Sequence, residues 1–289
     1  MRILILGGDG MLGHQLLRRL APRHDTRVTL RRPLDDYRDL GLFNGGNAYG
    51  GVEARELDPI IQALAGFRPE AVINAVGIVK QRADGADGVL SVEVNAFFPH
   101  ILSRLCDAHS ARLVHLSTDC VFSGSKGNYA ETDRPDPVDV YGFSKLLGEV
   151  DRPRAFTLRT SMIGRELRRK TGLLEWFLSQ RGRMIKGYRK AIFTGFTTAE
   201  LARVIERLLT AHADAAGIYH LGSAPISKFD LLSRLNRLLQ LEIDIVPDDE
   251  IACDRSLDST RFRKAFNYTP PAWDSMLDEL ADDMAKGAA

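Results

Sequence analysis

The chain is poor in cysteine. Cys106, Cys120 and Cys253 are its only three, odd in number and far apart. This excludes a disulfide framework and fits a reducing compartment. No cysteine or histidine spacing resembles a metal-ligand set, so no metal is expected. No apolar run is long enough to span a bilayer. The first apolar segment begins at residue 2, which leaves no room for a secretion signal. A cytoplasmic protein with no membrane partner is expected. Excess charge is also missing: the balance is only +1, which argues against a nucleic-acid-binding surface. Internal repeats and low-complexity linkers are absent. At 289 residues, one large domain with a smaller lobe is expected.

What is present begins at the amino terminus. Arg2-Ile3-Leu4-Ile5-Leu6 reads as a buried parallel strand. The turn Gly7-Gly8-Asp9-Gly10-Met11-Leu12-Gly13 follows, and then the helical pattern Leu12, Leu16, Leu17, Leu20. Gly7, Gly10 and Gly13 have the spacing GxxGxxG. Residues without Cβ let backbone approach a pyrophosphate, and a helix amino terminus offers it free N–H groups. The turn, with Met11 and Leu12 in it, is therefore a candidate dinucleotide site.

Thr26–Leu30 reads as a second strand, ending in Arg31-Arg32-Pro33. An NAD site usually puts a carboxylate at this strand end to hold the ribose 2′-hydroxyl. Two guanidinium groups match a 2′-phosphate instead, so NADP(H) is favoured, with NAD(H) the alternative. A solvated pair of arginines is the plainer reading. Residues 35–51, rich in glycine and without periodicity, read as a loop. Asp58–Phe67 reads as a short helix. Ala71–Gly77 reads as a third strand running into small residues. There Ala75, Val76 and Gly77 give a nicotinamide ribose close access to backbone. Val79 and Lys80 come next, either touching substrate or forming surface loop. Val89–His109 reads as one long amphipathic helix. Asn95 falls among its apolar residues, either as a satisfied packing amide or as a brace for the site.

The chemistry centres on Ser117-Thr118-Asp119-Cys120-Val121-Phe122 and Tyr141-Gly142-Phe143-Ser144-Lys145. The first stretch follows a buried strand, at the end where open parallel sheets bind ligands. Tyr141 and Lys145 lie four apart, on one helix face. A hydroxyl, a phenol and a cation suit proton transfer to or from a carbonyl, because the ammonium stabilises phenolate. Taken alone, YxxxK is also an ordinary amphipathic pair.

Strands and helices alternate up to about residue 152, which implies a doubly wound parallel (Rossmann) α/β sheet. Beyond Ala155–Arg159, a further strand, the texture changes. Arg165, Arg168, Arg169, Lys170, Arg181, Arg183, Lys186, Arg189 and Lys190 surround the apolar Gly172–Leu178. These are either a solvated face or a grip on a diphosphate. Residues 1–160 are expected to form the dinucleotide-binding domain. Residues 161–289 mainly form a substrate lobe, with some segments returning to the first.

GxxGxxG, STDCVF, YGFSK with Gly148-Glu149, and the late Arg255-Ser256-Leu257-Asp258 together resemble the extended short-chain dehydrogenase/reductases. The run from Ser117 through Tyr129, Glu131 and Pro137 to Glu149 is most similar to the dTDP-4-dehydrorhamnose reductase family. The resemblance covers nearly the whole chain. It implies a cytoplasmic enzyme of deoxysugar or polysaccharide biosynthesis that uses NAD(P)H to reduce the C4 ketone of a nucleotide-linked 4-keto-6-deoxy sugar. Thr118 would supply a hydroxyl. Tyr141 would be the acid/base, and Lys145 would hold the nicotinamide ribose and tune Tyr141. Asp119, Cys120, Met162 and Arg255 would face the sugar nucleotide. The assembly would be a monomer or a homodimer.

Two residues depart from the family pattern. Cys120 and Met162 stand where the family has aromatic pocket walls, so a larger pocket is expected, suited to a 2-acetamido sugar or another nucleotide. A cysteine at position 120 also matches GDP-fucose synthases, which makes a bifunctional epimerase-reductase one alternative. An NADP-binding regulatory subunit, as in methionine adenosyltransferase, is another. The presence of Thr118, Tyr141 and Lys145 together favours the enzyme.

Overall fold

Arg2–Leu6 (β1) is buried from Ile3 onward, as an apolar run covered on both sheet faces must be. It lies in the middle of a seven-stranded sheet. The other strands are Asp25–Thr29 (β2), Ala48–Tyr49 (β3), Ala71–Asn74 (β4), Arg112–Thr118 (β5), Ala155–Thr160 (β6) and Gly217–His220. From one edge the order is Gly217–His220, β6, β5, β4, β1, β2, β3. The pairs from β3 to β5 are all parallel, with Ile3 opposite both Thr26 and Ala71. The chain leaves β1 toward β2 and β3, then returns to β4 on the other side. This reversal places the carboxyl ends of β1 and β4 at the crevice where such sheets bind ligands. The α/β doubly wound fold expected from the sequence is thus present. The computed structural model describes residues 1–79, 87–168 and 170–287.

The chain divides into two compact units. One comprises residues 1–117, 139–158 and 202–218; the other comprises 118–138, 159–201 and 219–289. In the first unit, helices Gly13–Leu20 (α1), Leu57–Phe67 (α2), Gly88–Ser91 (α3), Phe98–Ala108 (α4) and Val140–Leu147 (α5) accompany the sheet. One core layer joins Leu4, Leu6, Val72 and Leu113 to Ile60, Leu64, Phe67, Phe98 and Leu102. Each such side chain contributes about 1.5–3 kcal/mol by leaving water.

Two segments differ from their sequence reading. Residues 35–51 are not all loop: Leu34–Leu40 is a 3₁₀ helix and β3 is the sheet edge. A two-residue strand is too short for alternation to reveal it. The long helix from residue 88 is also not uniform, because Val92–Phe97 is a π-helical turn between α3 and α4. Such turns widen the backbone spiral and re-aim one side chain, here Asn95.

The second unit is assembled from short pieces. Met162–Ile163 pairs with Phe196–Thr197, and Ile226–Ser227, Ala191–Phe193 and Cys253–Asp254 form a three-stranded sheet. Asp244–Asp248 runs parallel to Met184–Tyr188. Aromatic edge contacts among Tyr219, Phe262, Phe266 and Tyr268 fill its core. No helix among the described residues is long and apolar enough to cross a membrane.

Candidate functional site

The glycine turn is shaped for close approach. Gly7 has φ +84°, and a Cβ on Gly13 would stand 2.0 Å from the Gly7 carbonyl oxygen. Gly8 Cβ would meet Val28 at 2.5 Å. Gly8 N–H donates to Thr29 O at 2.8 Å, and Gly7 N–H to Thr29 Oγ1 at 3.2 Å. The turn is thereby stapled to the end of β2. A Cβ on Gly7 would meet Val76 Cγ2 at 3.2 Å and the Ala75 backbone at 3.3 Å. The structure therefore brings Gly7, Gly10, Gly13, Ala75 and Val76 together. No side chain caps α1 and no acid lies in its first turn. Its amino end is left for an external anion, so these residues fit a dinucleotide pyrophosphate.

These contacts make Gly13 the least replaceable residue of the turn. Gly13→Ala is expected to weaken NADPH binding by at least about tenfold, or 1.4 kcal/mol, in a fluorescence titration. Gly45→Ala, which meets no atom within 4 Å, should leave it unchanged. Equal affinities in the two variants would refute the close-approach role.

Arg31 and Arg32 are exposed at the end of β2. Arg31 Nε stands 3.6 Å from Glu53 Oε1. The Arg32 backbone N–H donates to the Tyr37 hydroxyl at 3.3 Å, and that hydroxyl donates to Asp9 Oδ2 at 2.8 Å. Burial and the Asp9 carboxylate push the Tyr37 phenol up to about 12. Sequence reasoning missed this pair. Nothing in a 28-residue separation signals it, and Tyr37 fell within the segment read as loop.

Helix α5 begins with a cap, since Asp139 Oδ1 accepts from Gly142 N–H at 2.8 Å. Tyr141 is half-buried and Lys145 fully buried. Lys145 Nζ donates to Leu116 O on β5. Burial pulls its pKa down to about 8, opposed by the Glu149 carboxylate. Glu149 Oε1 accepts from Ser117 Oγ at 2.7 Å. His115, beside Asn74 Nδ2 at 3.1 Å, is held well below its ordinary value by burial and by Lys145 and His100. Asn95 is buried and its amide is fully satisfied. Its amide donates to Ile78 O at 2.8 Å and Ser144 Oγ at 3.1 Å, and its oxygen accepts from Ile78 N–H at 2.9 Å. Asn95 thus ties α5 to the loop containing Gly77 and Val79. A Cβ on Gly148 would fall 1.8 Å from Asn95 O, which explains glycine at this place in the sequence.

In the second unit, Thr118 closes β5 and its Oγ1 accepts from Cys120 N–H at 3.1 Å. Asp119 Oδ2 accepts from Ser161 Oγ at 2.7 Å, beside half-buried Met162. Arg255 donates through Nη1 to Cys120 Sγ at 3.4 Å and through Nε to Phe122 O at 2.9 Å. Asp119, Cys120, Met162 and Arg255 thus share one neighbourhood. Tyr129 stacks on Phe122, and Glu131 Oε1 accepts from His220 N–H at 2.9 Å, which gives those motif positions a structural purpose. Several basic residues of the 165–190 run are answered locally. Arg165 meets Glu175 at 2.6 Å, Lys186 meets Asp248 at 2.8 Å, and Arg189 meets Asp249. Lys80, a sequence candidate, lies outside the described residues. Among the described residues no cluster is placed to hold a metal ion.

Fold and motifs together define an NAD(P)-dependent reductase of the extended short-chain dehydrogenase/reductase type. The family model for the RmlD substrate binding domain matches residues 1–286, and the chain belongs to that family. A dTDP-4-dehydrorhamnose reductase of Aggregatibacter actinomycetemcomitans is 25% identical, over 96% of this chain and 98% of its own. A hypothetical dTDP-4-dehydrorhamnose reductase from Sulfolobus tokodaii has 27% identity and a TM-score of 0.75, covering 96% of this chain and 99% of that one. The Bacillus anthracis dTDP-4-dehydrorhamnose reductase, solved with NADP, shares the fold at TM-score 0.78 and 20% identity, covering 98% and 99%.

Proposed function

We propose that this chain is an NAD(P)H-dependent reductase of a nucleotide-linked 4-keto-6-deoxy sugar, acting at the C4 ketone. The observation that carries the reading is the buried Lys145 ammonium, one helical turn from Tyr141, in a chain of the RmlD family. Gly7, Gly10, Met11, Leu12 and Gly13 hold the pyrophosphate, and Ala75, Val76 and Gly77 flank the nicotinamide ribose. Arg31 and Arg32 favour a 2′-phosphate, and hence NADPH. A nicotinamide coenzyme held there would supply the hydride for C4. Tyr141 donates its phenolic proton to the ketone oxygen as negative charge develops there. The Lys145 charge stabilises the phenolate left behind. Thr118 donates a hydrogen bond to the same oxygen, as the family resemblance implies.

In the second unit Asp119, Cys120, Met162 and Arg255 would face the sugar nucleotide, as Val79 would in the first. Cys120 and Met162 are smaller than the aromatics of the family pattern and suit a bulkier sugar, such as a 2-acetamido sugar. The guanidinium of Arg255 at the Cys120 sulfur supports a second reading, because a cation favours thiolate. In that reading Cys120 acts as a base and the enzyme epimerises before it reduces.

One experiment tests both. A panel of nucleotide 4-keto-6-deoxy sugars is incubated with NADPH in deuterated water, and loss of absorbance and carbon-bound deuterium are followed. Reduction without enzyme-dependent deuteration at C3 or C5 is expected. Deuteration that disappears in Cys120→Ser would establish the epimerase-reductase. No NADPH consumption with any sugar would overturn the reductase.

A further inference from the structure

The carboxylate that the end of β2 lacks is present nearby, on another element. We propose that Asp9, held in place by Tyr37, is a determinant of coenzyme choice that opposes the 2′-phosphate of NADPH and favours the 2′-hydroxyl of NADH. The inference rests on the dinucleotide site proposed above.

The geometry is local to one unit. Asp9 lies in the glycine turn, which is stapled to Thr29, the last residue of β2. Its carboxylate is one phenol away from the Arg32 backbone: Arg32 N–H donates to Tyr37 Oη at 3.3 Å, and Tyr37 Oη donates to Asp9 Oδ2 at 2.8 Å. The end of β2 is where dinucleotide-binding folds read the ribose 2′-position. Asp9 therefore brings a negative charge to the place where sequence alone shows two positive ones. Arg31, moreover, already faces Glu53 at 3.6 Å. One of the two guanidinium groups thus already faces a carboxylate, and Asp9 adds a second negative charge near the end of β2.

Tyr37 has a definite part in it. Its single hydroxyl proton goes to Asp9, and its oxygen accepts from Arg32 N–H. The buried ring is 2% exposed and meets Phe43 edge-on at 5.7 Å, so the hydroxyl is fixed. By donating to Oδ2 it draws charge from that oxygen and holds the carboxylate in one orientation. Without the hydroxyl, Oδ2 would lose this screening donor and the carboxylate would be free to turn toward the ribose.

The two members of the pair therefore predict opposite results. Dissociation constants for NADPH and NADH are measured by fluorescence titration on the full chain. Asp9→Asn should shift the ratio toward NADPH by about tenfold or more, because a like-charge contact with the phosphate is removed. Tyr37→Phe should shift it the other way, by weakening NADPH more than NADH. A merely structural role would weaken both coenzymes alike in both variants, and that result overturns the inference. If the wild-type protein binds both dinucleotides and neither variant changes their ratio, the inference fails alone. If the wild-type protein binds neither, the dinucleotide site itself is refuted and the inference with it.

Discussion

Tyr141→Phe is expected to bind NADPH as the wild-type protein does and to reduce its sugar substrate about 10² to 10⁴ times more slowly, the usual loss for a positioned general acid. The variant keeps the ring and loses only the hydroxyl, so the helix should be unaffected. That helix is held at several points. Asp139 caps its start, Ser144 Oγ donates to the Tyr141 carbonyl at 3.0 Å, and Asn95 donates to Ser144 Oγ. Lys145 is anchored on Leu116 O and Glu149 on Ser117 Oγ. The phenol thus projects from a backbone fixed on both sides of it, as a proton donor requires, since small misplacements cost orders of magnitude. Single-turnover rates with saturating NADPH separate chemistry from binding. Near-normal turnover would remove Tyr141 from its role.

Much of this arrangement was legible in the sequence, for reasons that differ by element. β1 and its glycine turn are local: an apolar run, glycines and a following helical pattern specify them with no long-range information. The same holds for α5, whose spacing alone puts Tyr141 and Lys145 on one face. Asn95 was visible as a polar residue in an apolar stretch, but its partners were not. The π-helical turn that carries it lies against the Gly148 backbone, more than fifty residues away in the chain. Glu149 was visible as a motif letter without a purpose. Its role needs Ser117, which only the packing of α5 on β5 supplies. Asp9 and Tyr37 lie at the far end of the scale, since a hydrogen bond between two unremarkable polar residues leaves no periodic trace. The basic run from Arg165 to Lys190 misleads in the opposite direction. It reads as a charged patch in one dimension, whereas Asp248 and Asp249, some sixty residues later, neutralise part of it.

Lys145→Met is expected to lower kcat by about 10² to 10³, the range for removing one preorganised electrostatic group, and to leave a signature in stability that an ordinary surface lysine would not. The ammonium is buried, and burial lowers its pKa from 10.5 to about 8. The groups facing it are Glu149, just beyond the end of its own helix, which favours the charge, and His115 on β5, which is held neutral. Below about pH 8 the lysine is protonated in both folded and unfolded states, and the folded state bears the whole cost of the buried charge. Between about 8 and 10.5 the folded protein releases the proton while the unfolded chain keeps it. The unfolded state then binds more protons, so stability rises with pH. Over that window the wild-type protein should gain on the order of 3 kcal/mol relative to the methionine variant. The check is urea unfolding of both proteins from pH 7 to 10.5, compared as a difference so that other titrating groups cancel. A difference that stays flat would mean that Lys145 carries no buried charge, and the electrostatic part of the proposed mechanism would go with it. A difference that rises as expected, together with the loss of kcat, would mean that the fold bears a destabilising ammonium at pH 7 because Tyr141 needs it.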